Sequence, residues 1–269
     1  MSRFFTNYDI AAVSSYLSEP RLRTFVDIVK SKNVDCAIEL HQATMSLGIS
    51  IMAVAGLIEI SLRNAACFEL DTEFGGAGWL RHPPTTLKWS SFEEKAIKQA
   101  EVHAQRAAYS KMTAQEKAAL DKIAYPQGVP PGIRHKKLAE SRQRSLSVSD
   151  GQIIAQLTLH FWKRLFSEHY EKTLWKRALK RVFPNKSISR ADIAEKIEII
   201  YQIRNRLAHH EPVYGGRLED SLSAIDYISR NMGNKLSDYE GAFYKLILPQ
   251  MDILNGQVAI FKSTFQRLT

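Results

Sequence analysis

What limits the possible folds most is an apolar stretch in the first third of the chain. Its longest uncharged run, Leu40 to Ile58, lies within a segment whose spacing predicts one helix from about Val34 to Leu70. The end of that helix is predicted by the glycines that follow it: Gly75, Gly76 and Gly78. The uncharged run also contains polar side chains: His41, Gln42, Thr44, Ser46 and Ser50. They favour a buried core helix over a membrane span, so we predict no membrane as a partner.

The rest of the chain also shows helical spacing. Alternation with period two is nearly absent, so we predict an all-α fold with strands, if any, minor. Further helices are predicted at Pro20 to Lys30, Gly151 to about Glu168, about Glu219 to Met232, and from Ser237 onward. A hydroxyl residue followed three positions later by an acidic residue predicts capped helix starts at Ser90 with Glu93, Thr113 with Glu116, Ser189 with Asp192, and Ser237 with Glu240.

Positive charge is concentrated in the middle of the chain, whose net charge is +9. Residues 81–149 hold 13 Lys/Arg against 6 Asp/Glu, and residues 155–217 again hold 13 against 6. A basic surplus of this kind is typical of proteins that hold a polyanion. The alternative is a solvated basic surface with no ligand.

A connector rich in proline and glycine is predicted at residues 125–150. It carries a basic run that includes Arg134, Lys136 and Lys137. These three residues are candidate contacts for the polyanion, because phosphate binding is mainly electrostatic.

Residues 203–216, IRNRLAHHEPVYGG, contain the groups on which the functional prediction rests. Arg204 is followed directly by Asn205 and, five positions on, by His209. A guanidinium holds a phosphate through paired hydrogen bonds, and an imidazole transfers protons at physiological pH. These are the groups that metal-free cleavage of a phosphodiester requires. The alternative is a charged helix end in which Arg204 snorkels and both histidines are solvated.

Spacing places this motif at the end of a helix. One apolar stripe recurs at three and four residues and includes Ile193, Ile197, Ile200, Arg204 and Ala208. Arg204 should therefore lie on the apolar face. A proline two residues after the second histidine disfavours helix just before it, so His209 should fall in the last turn, where the macrodipole favours a cation.

Arg204 and His209 are separated by about 140° on an ideal helix, given about 3.6 residues per turn. One copy would present them poorly to a single phosphate unless the last turn distorts. We therefore predict a homodimer with two-fold pairing, to which Tyr201 and Leu207 beside Arg204 contribute contacts.

A second Arg-Asn pair, Arg63 with Asn64, lies in the predicted core helix. The nearest charged residue before it is Glu59, which shares a helical face with Arg63. Burying two charges is costly unless they are paired. One interpretation is an internal ion pair between Glu59 and Arg63. The other is that Glu59 orients Arg204, or that Arg63 assists phosphate binding.

The segment IRNRLAHHEP resembles the R-N-x3-H signature of HEPN-domain ribonucleases, in particular the Abi-like (AbiD/AbiF) abortive-infection family. Two further segments resemble the same family in the same order. They are LIEISLRNAACFELDTEFGGAGWL at residues 57–80 and IIAQLTLHFWKRLFSEHYEKTLW at residues 153–175. The resemblance covers roughly residues 20–232 and leaves the basic stretch near 90–149 unmatched.

The resemblance implies an HEPN-like helical bundle with extra N-terminal and inserted helices. Residues 1–269 would form a single domain with a basic helical insertion and connector at about 88–150. The catalytic residues would be Arg204, Asn205 and His209. Supporting roles would fall to Glu59, Arg63, Asn64 and His210. Independently of the resemblance, the placement of basic charge makes Arg134, Lys136, Lys137 and Arg206 the expected RNA contacts.

The function implied is a metal-independent endoribonuclease that acts in bacterial antiphage defence (abortive infection) or as a toxin. RNA is the expected substrate because its 2′-hydroxyl supplies an internal nucleophile. A cognate small non-coding RNA is a further candidate partner. The alternative is a non-catalytic RNA-binding or regulatory module of the same fold, either antitoxin-like or a scaffold.

Neither a cofactor nor a metal site is predicted. His209, His210 and Glu211 are adjacent, so their side chains point apart and do not form a ligand set. Cys36 and Cys67 lie in apolar helical segments far apart and are predicted to be buried, reduced thiols. With no basic-then-apolar leader, the sequence predicts a cytoplasmic protein.

Overall fold

Apolar residues spaced at three and four positions form helices along the chain in the computed structural model. It describes residues 6–269, without the side chains of Asn7 and Ala77. Within that range there are twelve α-helices and no strand, which confirms the predicted all-α fold. In chain order they are α1 (Asn7–Leu17), α2 (Glu19–Ile28), α3 (Val34–Phe74), α4 (Ser91–Ser110), α5 (Ala114–Ala119), α6 (Asp121–Ala124), α7 (His135–Arg144), α8 (Asp150–Ile154), α9 (Leu159–Arg164), α10 (Arg190–Ala208), α11 (Gly216–Asn231) and α12 (Ala242–Leu268).

Shorter helical segments join some of these helices. The 3-10 segments are Ala77–Trp79, Glu168–Tyr170 and Leu179–Val182, and a π-helical segment spans Glu171–Trp175. The chain divides into two compact units. The terminal unit comprises Met1–Leu62 and Phe183–Thr269, and the central unit comprises Arg63–Val182. The predicted insertion at about 88–150 lies in the central unit, and the assignment of residues 1–269 to one domain stays a prediction.

The terminal unit is organised by the apolar stripes of its longer helices. On α10 the isoleucines at 193, 197, 200 and 203 are at most 3% exposed. The helix that carries them packs on α11. Each such side chain contributes roughly 1.5–3 kcal/mol by leaving water. Since these stripes fix the rotation of α10, they also fix which residues its C-terminal end presents.

Helix α3 forms where the sequence predicted a long core helix. Its side chains at Leu47, Ile51, Val54 and Ile58 are at most 1% exposed. Among the described helices, α3 is the one long and apolar enough to cross a membrane by length and composition, and 44% of its most apolar window is buried in the protein. The buried stripe agrees with the predicted core role.

The central unit has an aromatic core around Trp89. The ring centroids of Trp79, Phe161 and Tyr170 lie 5.8–6.1 Å from that of Trp89. All four side chains are buried. Aromatic pairs at these distances contribute beyond the area they bury, so this cluster anchors α4 and α9.

The capping box predicted for Ser90 and Glu93 is wrong, although α4 does begin there. Ser90 makes no side-chain capping bond to the helix. Glu93 is instead fully buried, and its carboxylate accepts hydrogen bonds from Ser90 Oγ, Arg164 Nε and Tyr170 Oη. The boxes predicted at Thr113 with Glu116 and at Ser189 with Asp192 are both formed.

The predicted helix from Gly151 to Glu168 is broken into α8 and α9. Thr158 has an extended backbone (φ −84°, ψ 165°) and starts α9. Ile153, Leu157 and Phe161 remain buried on both sides of the break, at 0%, 6% and 1% exposure. Because the break preserves the apolar spacing, the pattern alone did not reveal it.

The predicted connector at residues 125–150 contains helix α7, which carries the basic run. Arg142 on α7 forms two 2.7 Å hydrogen bonds with the carboxylate of Asp121. Gln105 Nε2 also donates to the carbonyl of Leu146, just after α7. These distant partners stabilise a helix that local propensity did not predict.

The last helix begins at Ala242 rather than Ser237. Gly241 is its N-cap, so the predicted cap by Glu240 is wrong. Asp238 Oδ1 accepts hydrogen bonds from Asn234 Nδ2 (2.7 Å) and from the backbone N–H of Glu240 (3.0 Å), which closes a turn there instead. Cys36 and Cys67 are free thiols as predicted but are half-buried. Burial, with Asp71 nearby, raises the pKa of the Cys67 thiol to about 12.

Candidate active site

The motif Arg204, Asn205 and His209 lies at the C-terminal end of α10 in the terminal unit. The predicted position of Arg204 on the buried face is wrong. Ile203 occupies that position at 3% exposure, whereas the Arg204 side chain is 37% exposed and Ala208 is exposed. Two neighbouring residues cannot share one face, and the apolar one takes the core. Arg204 therefore lies at the edge of the core, where it can reach solvent.

Arg204 is held by one residue from α3 and one from its own helix. Its Nε lies 3.8 Å from Oε2 of Glu59, an ion pair by distance, and its Nη1 donates to Asn205 Oδ1 at 3.3 Å. The Glu59 side chain is 20% exposed. A guanidinium carries five N–H donors, so donors beyond these contacts can face a phosphate.

His209 lies one residue past the last helical residue of α10. Its backbone (φ −93°, ψ 11°) caps the helix, and its side chain is exposed. Pro212 follows three residues later and disfavours helical backbone at Glu211, so α10 ends where it was predicted to end. The Arg204 guanidinium and the His209 imidazole are thus both at the surface of one helix end.

The turn after His209 is a Schellman motif. The amide of Glu211 donates to the carbonyl of Arg206 (2.9 Å), and the amide of His210 donates to the carbonyl of Leu207 (2.9 Å). His210 occupies the left-handed region at φ 57°. A non-glycine residue there costs roughly 1–3 kcal/mol, and the conformation persists only because surrounding contacts hold it.

Two arginines hold this turn. Arg21 Nη1 on α2 donates to the carbonyl of His210 at 3.1 Å, and Arg206 Nη2 lies 2.7 Å from Oε2 of Glu211. Arg206 was predicted to bind RNA; its guanidinium is paired with the exposed Glu211, and its role in RNA binding stays a prediction. Arg21 was not among the predicted site residues. It lies 189 residues from its partner and belongs to no motif, so no local signal could have identified it.

Of the predicted supporting residues, Glu59 and His210 lie close to the motif in the terminal unit. Arg63 and Asn64 belong to the central unit, where Arg63 Nε donates to Asn64 Oδ1 at 3.3 Å. Among the residues that the structure describes, the ion-pair partner of Glu59 is Arg204. This direct contact supports the interpretation in which Glu59 orients Arg204.

The predicted RNA contacts of the connector lie together on the central unit. Arg134, Lys136 and Lys137 are exposed at the start of α7 and line one open depression with Arg144. Cations at a helix N-terminus are opposed by the macrodipole, so this arrangement does not serve helix stability. The lining of the depression also includes Glu140 and Ser141, and the surplus of cations suits the depression to a phosphate chain.

No metal site can be assigned to the described part of the chain. Between residues 6 and 269, no three His, Cys, Asp or Glu side chains are grouped to hold an ion. Comparison with known proteins adds nothing to these observations. No protein-family model, curated protein or solved structure matches the chain.

Proposed function

We propose that the protein is a metal-independent endoribonuclease of the HEPN type, with its active site at the end of α10. The 2′-hydroxyl of RNA attacks the adjacent phosphorus, and the bond from phosphorus to the 5′-oxygen of the next nucleotide breaks. The products are a 2′,3′-cyclic phosphate and a 5′-hydroxyl. This step transfers one proton from the attacking oxygen and delivers one to the leaving oxygen.

Each group of the motif has a role in that step. His209 transfers a proton, since its exposed imidazole can reach an incoming ribose. Arg204 stabilises the charge that develops on the phosphoryl oxygens. Asn205, which accepts a hydrogen bond from Arg204, orients the guanidinium or a phosphate oxygen.

The ion pair between Glu59 and Arg204 is the observation that carries the proposal. Glu59 lies against one side of the guanidinium while 37% of the Arg204 side chain remains exposed, and this cation stands in the same helix end as His209. Such a fixed but accessible cation suits phosphate binding at a reactive centre.

A homodimer fits this chemistry. The reaction includes two proton transfers, and a dimer supplies two motif histidines for them, one from each copy. Two-fold pairing would bring two helix ends together. The contact sites proposed earlier, Tyr201 and Leu207, are half-buried in the single chain.

The biological setting follows from the resemblance. The protein acts in the cytoplasm, in bacterial antiphage defence or as a toxin, on RNA and with a cognate small non-coding RNA as a candidate partner. No membrane and no cofactor take part.

A digestion assay with chelator present tests the proposal. Purified protein is incubated with structured and unstructured RNA in EDTA, beside His209→Ala and the control His103→Ala, an exposed histidine of the central unit. Turnover by the unmodified protein and by the control, but not by His209→Ala, supports the ribonuclease.

The exposed basic depression on α7 favours a second candidate function. A non-catalytic RNA-binding module needs such cations but no histidine at a fixed spacing from an arginine. In the same assay this alternative predicts tight binding of RNA by all three proteins without cleavage. That outcome would exclude the ribonuclease.

A further inference from the structure

A cavity of 390 Å³ lies beside the proposed active site, within the terminal unit. Its wall is formed by α2, α3 and the end of α10. Most of the wall is apolar and includes Phe25, Met45, Met52 and Leu207. Its size falls within the usual range for small-molecule sites, about 300–1,000 Å³.

The cavity opens next to the proposed catalytic histidine. Ala208 and His210, the residues on either side of His209, both line it. A nucleotide that contacts His209 thus has a cavity within the reach of its own base or the neighbouring one. Continuity with the proposed active site makes a part of the RNA the natural occupant.

One buried imidazole belongs to the wall. His41 is 8% exposed, and its Nε2 has no hydrogen-bond partner in the described part of the chain. The edge of its ring packs on Phe25, with centroids 5.2 Å apart and planes at 85°. A buried nitrogen without a partner is unfavourable, and a ligand that reaches it after a small turn of the ring would supply the partner.

The wall of the cavity favours a neutral occupant over an anion. Burial, together with the positive charge of Arg21, lowers the pKa of His41, so its ring is neutral at physiological pH. Thr44 is the other buried polar side chain of the wall, and its hydroxyl donates to the carbonyl of Leu40. A phosphate or carboxylate would lose hydration against this largely apolar wall, which also includes the Glu211 carboxylate.

We infer that this cavity binds a nucleobase of the RNA substrate, stacked or packed between apolar side chains and hydrogen-bonded at its polar edge to His41. A base has apolar faces and a polar rim, as the wall requires, and it is neutral. The inference rests on the proposed function for the identity of the ligand. An apolar side chain of a partner protein would fit the wall but leave the His41 nitrogen unpaired.

The experiment uses nuclease-resistant 2′-O-methyl oligonucleotides, which report binding without cleavage. Each carries either a natural base or an abasic site at one position, and affinity is measured for the full-length protein. Removal of the base that enters the cavity should weaken binding by about tenfold, the lower part of the range for a stacked base. Removal of other bases should have little effect.

Three variants locate the effect. Met45→Trp fills the cavity, and Met45→Leu, which conserves volume, is its matched control. Met45→Trp should abolish the difference between base-containing and abasic oligonucleotides, and Met45→Leu should retain it. His41→Phe keeps the ring but removes the nitrogen, so it should retain part of the difference while losing the preference among the four bases.

The outcomes separate this inference from the proposed function. If the unmodified protein cleaves no RNA but still binds the abasic oligonucleotide more weakly, the ribonuclease proposal is overturned and the cavity assignment stands. Cleavage of RNA without any abasic effect, or an effect untouched by Met45→Trp, would overturn the cavity assignment alone. A change of oligomeric state in Met45→Trp without change in base discrimination would assign the cavity to a partner's side chain and also overturn it.

Discussion

The Nη1 group of Arg21 donates a 3.1 Å hydrogen bond to the carbonyl oxygen of His210. Through it, helix α2 holds the turn that follows His209. The turn beside the proposed proton-transfer group is therefore held in part by a residue near the start of the chain, outside the helix that carries the motif.

Arg21→Ala should lower the rate of RNA cleavage several-fold while leaving RNA affinity nearly unchanged. The lost hydrogen bond contributes about 1 kcal/mol, and its loss frees a strained turn. Amide hydrogen exchange at His210 and Glu211 should accelerate with the loss of rate. Arg23→Ala removes the same charge from an exposed position of α2 and is the control. Equal rates for the two variants would refute a positioning role for Arg21.

His209→Ala should abolish cleavage and preserve RNA affinity, because an exposed ring adds little to phosphate binding. Arg204→Ala should reduce both, with a loss of roughly 3–4 kcal/mol in transition-state stabilisation. Single-turnover rates and filter-binding affinities separate the two effects. Full turnover by His209→Ala would mean that the proposed chemistry is wrong.

Mixing the two inactive variants tests whether the active site is composite. If the motifs of two chains act together, heterodimers of His209→Ala and Arg204→Ala should recover part of the activity. Sedimentation of the unmodified protein should show a dimer. A strictly monomeric protein that cleaves RNA at full rate would exclude the dimer.

RNA binding should weaken steeply with salt, with a log–log slope of about −0.7 per phosphate neutralised on single strands. Replacement of Arg134, Lys136 and Lys137 by alanine should flatten that slope without changing cleavage at saturating RNA. A matched triple replacement of exposed lysines on or before α4, at Lys88, Lys95 and Lys98, controls for net charge. Equal slopes for both triple variants would show that the α7 depression has no special role.

Acid should destabilise the central unit through Glu93. Burial opposes ionisation of Glu93, but hydrogen bonds from Arg164, Ser90 and Tyr170 outweigh it and lower the pKa of the carboxyl below its ordinary 4.5. A lowered pKa in the folded protein stabilises it above 4.5, and this contribution is lost as pH falls below that value.

Glu93→Gln should therefore reduce the free energy of unfolding at pH 7 by about 2–3 kcal/mol. This figure is smaller than for a fully buried pair because 32% of the Arg164 side chain is exposed. It should also flatten the pH dependence of stability as pH falls below about 4.5. Tryptophan fluorescence reports this directly, since all four tryptophans lie in the central unit. Glu94→Gln, at an exposed neighbouring position, should behave like the unmodified protein.

Local patterns predicted the parts of the fold that depend on neighbouring residues. The apolar run of α3 and the capping box of Ser189 and Asp192 are of this kind, and both formed as expected. The pattern at Ser90 and Glu93 is of the same type, but Arg164 and Tyr170 bind the Glu93 carboxylate from more than 70 residues away. Short motifs do not contain that information.

The candidate site shows the same division. Spacing predicted that α10 would end at the motif. Whether Arg204 faced the core or solvent depended on which of two adjacent residues, Ile203 or Arg204, entered the core. Ile203 did so because burying a charge costs more than exposing it. The sequence left two partners open for Glu59, namely Arg63 and Arg204. Which contact forms depends on how α3 packs, and the structure has the contact with Arg204.

The left-handed backbone of His210 has a consequence for how this sequence can change. Glycine adopts that conformation without the steric cost of a side chain, so selection for thermal tolerance alone favours glycine at position 210. A glycine at position 210 would relieve the backbone but would also remove the imidazole from the wall of the cavity. Stability and the lining of the cavity therefore place opposite demands on this one position.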